Sequence, residues 1–161
     1  MIDKRPPANV EIQRIQVEAT LPLRLSVLRP GRPIESARFD GDEVACHFGA
    51  FKAGQLVGIA SLYPVGMPGR PGVSAFQLRG MATAPEARGS GVGRALVKGC
   101  VAFALEEQAQ LIWCNARTSA VEFYRKIGFS ISGGEFEIPD VGPHFRMVFE
   151  LGAITTDTSG L

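Results

Sequence analysis

Between Met81 and Lys98 the chain reads Met-Ala-Thr-Ala-Pro-Glu-Ala-Arg-Gly-Ser-Gly-Val-Gly-Arg-Ala-Leu-Val-Lys. A β-type run enters a turn with glycines at 89, 91 and 93, and a helical pattern starts directly after it. Closely spaced glycines let successive backbone N–H groups face one point, and a helix N-terminus adds partial positive charge there. Arg88 and Arg94 flank the turn and can pair with phosphate oxygens. The chemistry this suits is the cradling of a pyrophosphate. A P-loop would need Lys and then Ser or Thr after the last glycine; Arg94-Ala95 supplies no Mg²⁺-binding hydroxyl. A dinucleotide fingerprint would need glycine at the sixth position from Gly89, which is Arg94. The plainer alternative is a helix start whose glycines serve only close strand–helix packing.

The elements that must hold this turn are legible in the surrounding pattern. Glu11 to Thr20 alternates as a strand and Leu21 to Leu28 has helical spacing, ending before Arg29-Pro30-Gly31. Val44 to Phe51 and Leu56 to Tyr63 read as a hairpin around Lys52-Ala53-Gly54-Gln55. Ser74 to Thr83 is a third strand of the middle region. A helix follows from Gly91 to about Ala109, with Gly99 inside it at a propensity cost of roughly 1 kcal/mol, tolerable where the helix packs closely on a strand. Leu111 to Cys114 is wholly apolar, the sign of a strand buried on both faces. Ser119 to Glu122 fits a capping box with Ser119 as N-cap, opening a helix that ends at Gly128. Phe129 to Ile138 and His144 to Leu151 read as two last strands. The order predicts an α/β (α+β) fold: a mixed, mostly antiparallel central sheet with helices on both faces.

Composition sets the outer bounds. The 161 residues are 45% hydrophobic and 20% charged, with a formal net charge of +1. That predicts one domain with a real core over 10–151, a flexible arm at 1–9 and a flexible tail at 152–161. The near-neutral charge argues against nucleic-acid binding, and no apolar run approaches the ~18 residues of a membrane span. Met1 to Val10 lacks a secretory apolar stretch. Three cysteines (Cys46, Cys100 and Cys114) are too few for a disulfide framework, so the expectation is a soluble, cytoplasmic protein. Cys46, Cys114, His47 and His144 lack metal-finger spacing, and no metal is expected.

Two motifs together carry a family resemblance. Arg88-Gly-Ser-Gly-Val-Gly93, after Met-Ala-Thr-Ala-Pro, resembles the acyl-CoA-binding turn of the GNAT superfamily of acyl-CoA N-acyltransferases. Asn115-Ala-Arg-Thr-Ser-Ala-Val-Glu-Phe-Tyr-Arg-Lys-Ile-Gly-Phe129 resembles the later strand–helix unit of that superfamily. The closing segment Phe136 to Met147 is similar to the ElaA-type branch. The resemblance implies acetyl-CoA, or another acyl-CoA, as cosubstrate and a primary amine, small-molecule or peptide, as acceptor. It implies that main-chain groups of Met81, Ala82 and Thr83 align the pantetheine arm. Arg88, Gly89, Ser90, Gly91, Val92, Gly93 and Arg94 would hold the pyrophosphate, and Asn115 would lie at the mouth of a gap between splayed strands. Arg117 stands where many relatives have Asn, which leaves it for a pantetheine, phosphate or acidic-substrate contact. A homodimer through edge strands is a further expectation.

Acyl transfer to an amine needs a neutral nucleophile, a polarised carbonyl and a proton for the departing thiolate. Tyr124 occupies the position of the superfamily's tyrosine general acid, and a phenol with a reference pKa of about 10 keeps its proton at neutral pH. The strands beside the turn carry Gln77, Arg79 and Leu-Ile-Trp-Cys, with no carboxylate for a base. His47, Glu137 and His144 are the candidate bases, with Asp140 beside the last loop. No activated Cys or Ser is recognisable, so direct transfer in a ternary complex is expected. The alternative is a non-catalytic acyl-CoA-binding module. Arg24, Arg29, Arg32 and Arg38 are interspersed with apolar residues and can shape an acceptor site, while Trp113 and the cysteines read as core.

Overall fold

The computed structural model describes residues 9–152, so the expected tail beyond Gly152 and nearly all of the arm lie outside the described residues. Strand β1 (Val10–Ile15) leads into helix α1 (Val17–Leu23), then β2 (Cys46–Lys52), β3 (Gln55–Tyr63) and β4 (Ala75–Thr83). Helix α2 (Val92–Glu106), β5 (Leu111–Arg117), α3 (Val121–Ile127), β6 (Ser130–Ile131), β7 (Phe136–Ile138) and β8 (Gly142–Glu150) complete the order. The sheet runs β1-β2-β3-β4-β5-β8-β6, with β7 also on β8. β4 and β5 are parallel, whereas β1–β2, β2–β3 and every pairing of β8 are antiparallel. This is the mixed, mostly antiparallel α/β arrangement the sequence predicts.

Four local expectations need correction. β1 stops at Ile15, and the helix begins at Val17 and runs through Pro22, which gives up one backbone bond. It then widens into a π turn, Arg24–Leu28, in which the Arg29 amide reaches back to the Arg24 carbonyl. Ser119 is not an N-cap: a 3-10 turn, Thr118–Ala120, delivers the chain into α3, Ala120 sits at the cap, and Glu122 pairs with Arg125 at 2.7 Å instead. Phe129 to Ile138 is two short strands, because Gly133 (φ +90°) turns the chain between them. Gly128 does end α3, its amide and that of Phe129 closing on the Tyr124 carbonyl.

The described residues fall into two compact units. The first holds the chain up to Tyr63 together with Gly80–Cys100. Its hairpin turns on Ala53 and Gly54, both left-handed, the I′-type geometry that matches the twist of paired strands. Phe48, Ala50, Ile59, Leu96 and Val97 are buried in it. A Cβ on Gly99 would stand 2.9 Å from the Ile12 Cγ2, so α2 lies close against β1 because that position is bare.

A polar network sits inside the same unit. Arg24 is fully buried and its guanidinium donates to Asp42 Oδ2 (2.8 Å) and Oδ1 (3.0 Å), the Ala37 carbonyl, Ser61 Oγ and Tyr63 Oη. The guanidinium also lies 4.1 Å from the Phe39 ring centroid. Arg24 is therefore a structural ion pair and not a shaper of an acceptor site. Burial alone would raise the Asp42 pKa. Hydrogen bonds from Arg24, Tyr63 and the Phe39 amide, with the Arg24 charge, outweigh it and hold the value at about 2.

The second unit holds Pro64–Arg79 and the chain from Val101 onward. Met67, Leu111, Trp113 and Val148 form a core cluster there, and the Trp113 indole N–H donates to the Val65 carbonyl at 2.9 Å. On the opposite face of these strands Phe76 packs on Phe103 of α2, and Phe149 on Phe129 after α3.

Two expected outcomes follow from the first unit. Gly99→Ala forfeits the roughly 1 kcal/mol gain a helix interior would give and destabilises, since overpacking costs about 1–3 kcal/mol. In an Ile12→Ala background the same change becomes stabilising; additive denaturation midpoints across that cycle would refute the contact. Because the folded Asp42 pKa lies below its unfolded value, its contribution is complete above about pH 4 and is lost as pH falls through about 2. Asp42→Asn removes that acid-side loss and costs about 3–5 kcal/mol at neutral pH by stranding Arg24. Urea titrations of both proteins from neutral pH to pH 2 measure the difference.

Candidate functional site

The turn after β4 is built in the first unit. A 3-10 turn (Pro85–Ala87) closes with the Ala87 and Arg88 amides on the Ala84 and Pro85 carbonyls, and the Ser90 hydroxyl folds back onto the Ala87 carbonyl. Gly89 (φ +78°) and Gly91 (φ +85°) are left-handed, with open space where a Cβ would be. The Ala95 amide makes the first helical bond, to Gly91. Among the described residues the amides of Gly89 to Arg94 donate to no protein acceptor. Unspent donors at a helix start make an anion site. Arg88 and Arg94 are exposed beside it. The rival reading of glycines serving packing alone does not account for the open space at 89 and 91.

Ahead of the turn, β4 carries Met81, Ala82 and Thr83, with Ala82 buried. Gly80 is left-handed (φ +66°), and a Cβ there would press on the Arg24 Nε and the Phe39 ring, each 3.3 Å away. A bulge-type kink thus precedes the three residues. In the second unit the β4–β5 ladder covers Ala75↔Leu111, Phe76↔Ile112 and Gln77↔Trp113, and no further. β5 continues to Arg117 paired with β8 alone among the described strands. Asn115, on that continuation, has its Oδ1 enclosed without a hydrogen-bond partner. Arg117 is exposed.

Tyr124 is buried on α3 in an edge-to-face stack, its ring 5.0 Å from Phe123 and 5.3 Å from Phe129. The candidate bases separate cleanly. His47 is buried with both nitrogens engaged: Nδ1 meets the Ser61 hydroxyl at 2.7 Å and Nε2 donates to the Asp42 carbonyl at 3.0 Å. It belongs to the Arg24 network and has no lone pair to spare, which corrects its candidacy. Glu137 is exposed and lies on the face of β7 opposite Phe136. Asp140 is the left-handed residue of a Pro139-Asp140 turn closed by the Val141 amide on the Ile138 carbonyl. His144 is buried on β8, its Nδ1–H donating to the Gly142 carbonyl at 2.7 Å and its ring beside Phe136. That bond fixes the tautomer and leaves Nε2 with its lone pair.

The cysteines are free thiols. Burial pushes Cys100 up, with the nearby Cys46 adding to the rise, and burial pushes Cys114 up to about 12. Neither is a thiolate nucleophile at neutral pH. Among the described residues no three His, Cys, Asp or Glu side chains are placed to hold a metal ion, and no helix is long and apolar enough to cross a membrane. The sequence reading passed over Arg146, whose guanidinium lies 5.7 Å from the Trp113 ring centroid and whose Nε is enclosed without a partner. Its signal was strand alternation: His144 and Arg146 share a face.

Comparison with known proteins puts names beside this geometry. A sequence model of the acetyltransferase (GNAT) family matches residues 13–129. The chain is 37% identical over 140 residues to the uncharacterized N-acetyltransferase YitI of Bacillus subtilis strain 168, covering 86% of this chain and 94% of that protein. A GNAT-family acetyltransferase of Elizabethkingia anophelis, solved with acetyl-CoA bound, has a TM-score of 0.68 at 16% identity, over 89% of this chain and 99% of that one. Escherichia coli ElaA superposes with a TM-score of 0.66 at 18% identity, over 88% of this chain and 99% of that one.

Proposed function

The chain belongs to the GNAT family of acetyltransferases, and on that premise we propose which of its residues carry the N-acetyl transfer. The family moves an acetyl group from acetyl-CoA to an amine, and this chain is an acetyltransferase of that kind. The carrying observation is the turn from Gly89 to Arg94, whose amides are unspent in the folded chain. We assign it the pyrophosphate, with Arg88 and Arg94 pairing the outer oxygens. The main chain of Met81 to Thr83, beyond the Gly80 kink, aligns the pantetheine arm. Asn115 and Arg117 lie on the stretch of β5 that β4 has left.

The reaction joins the amine nitrogen to the acetyl carbonyl and breaks the carbon–sulfur bond. His144 takes the proton from the amine through Nε2, held ready because Nδ1 is committed to Gly142. Tyr124 gives its phenolic proton to the departing thiolate. Direct transfer fits the protonated state of the buried thiols, which rules Cys100 and Cys114 out as carriers of the acetyl group. We treat 10–151 as one acetyltransferase domain, the family match covering 13–129 of it. The cytoplasm is the proposed location, consistent with three free thiols.

Tyr124→Phe is expected to lower kcat about 100-fold or more, as loss of a general acid does, with the acetyl-CoA Kd within about twofold of wild type. His144→Gln lowers kcat/KM about as much and flattens the acidic limb of its pH profile. Thiol release and acetyl-CoA titration read the two effects. Turnover at the wild-type rate in Tyr124→Phe refutes its role, and an unchanged acidic limb in His144→Gln refutes that of the histidine.

A further inference from the structure

A half-buried cation that the transfer chemistry leaves unused is Arg146. It lies on β8 directly opposite Asn115 of β5, and the next pair on the same face is His144 opposite Arg117. Its guanidinium lies beside two aromatic rings, 5.7 Å from the centroid of Trp113 and 6.0 Å from that of Phe136. Among the described residues it makes no hydrogen bond and no ion pair, and its Nε has no contact with water. Across from it, Asn115 Oδ1 is equally enclosed and equally unpaired.

Two acids flanking this part of the sheet are committed elsewhere. Glu150, two residues beyond Val148 on the same face of β8, is bonded to Arg70 at 2.6 Å. Glu135, just before β7, accepts from the Thr118 hydroxyl at 2.9 Å. Arg24 shows how this chain meets a buried guanidinium that is structural: a bidentate carboxylate and three further oxygen acceptors take up its two Nη groups, and only Nε is left unpaired. Arg146 has rings in place of acceptors. Stacking compensates a desolvated guanidinium only in part, and a planar fork with idle N–H groups is matched by a carboxylate.

We propose that Arg146, with Asn115 opposite it and Arg117 on the next pair, binds the carboxylate of the acceptor, so that this acetyltransferase acts on amines that also carry a carboxylate. The assignment of that carboxylate to the acceptor rests on the transferase reading above. Arg146 Nε–H and a neighbouring Nη–H receive the two carboxylate oxygens. Asn115 Oδ1 accepts from an N–H of the same molecule. Arg146 is a specificity residue here and performs no proton transfer.

Trp113, the chain's one tryptophan, reports on the site through its contact with Arg146. The full chain is titrated with the protein amino acids, each against its C-terminal amide, while Trp113 emission is followed. At least one amino acid is expected to give a saturable change that its amide does not. The change disappears in Arg146→Gln, and the affinity falls at least tenfold in Arg146→Lys, which keeps the charge and loses the fork. In thiol-release assays Arg146→Gln lowers kcat/KM for the carboxylate acceptor at least tenfold, leaving that for its amide and the KM for acetyl-CoA unchanged. Three results overturn the proposal: equal responses to acid and amide, no saturable response to any amino acid, or a raised KM for acetyl-CoA in Arg146→Gln. If Arg146→Gln does not fold, the comparison of acids with amides on the wild-type chain decides. A carboxylate response without thiol release from acetyl-CoA would leave the site standing and remove the transferase reading.

Discussion

A guanidinium stripped of water needs acceptors for the N–H groups it buries, and the first unit is organised around meeting that need at both Nη groups of Arg24. Its oxygens come from the Ala37 carbonyl, Asp42 and two residues of β3, Ser61 and Tyr63. The chain between α1 and β2 is thereby pinned to the sheet through its two short 3-10 turns, Ile34–Ala37 and Asp42–Val44. The same side chain fills the space over Gly80, where a Cβ would come within 3.3 Å of Nε. Glycine takes a left-handed conformation in mid-strand without strain, and a larger residue there would meet packed side chains. Here those side chains are the packed arginine and the Phe39 ring, and the kink comes immediately before Met81.

From that kink the backbone runs through Ala82 and Thr83 into a turn that does the opposite of Arg24. It leaves its donors unspent. Most buried amides in folded chains are paired, and those of a helix start are the standing exception. Gly89 and Gly91 extend the exception backward from the helix, since both adopt conformations an L side chain resists. The unit therefore pairs nearly all of the Arg24 network in its core and gathers unspent amides at one exposed turn. That division lets an anion bind without competing against the protein's own hydrogen bonds.

Much of this was legible in residue order because it rests on local chemistry. The glycine spacing at 89, 91 and 93, the Ala53-Gly54 hairpin and the Gly128 stop are each dictated within a few residues, and the structure has them where the pattern puts them. Gly99 could be read as a packing glycine, although its partner Ile12 could not. What stayed hidden depends on distant partners. His47 looked like a spare base because Ser61 and the Asp42 carbonyl, which occupy its nitrogens, are remote from it in chain or in kind. Ser119 looked like a cap because the pattern Ser-x-x-Glu is local, whereas the 3-10 entry into α3 depends on how β5 ends.

Arg24 and Arg146 give the clearest case of what sequence cannot rank. Residue order offers Arg24, with Arg29, Arg32 and Arg38, as a shaper of an acceptor site and draws no attention to Arg146. The surroundings invert those expectations: Arg24 is neutralised by Asp42, and Arg146 faces rings and an unpaired amide oxygen. Residue type alone gave both the same charge and the same reach. The difference lies in whether a carboxylate of the chain itself arrives at the guanidinium, which only the sheet register and the loops around it decide. A fold that supplies one such partner to a fully buried guanidinium and withholds it from a half-buried one has separated a structural cation from one available to a ligand.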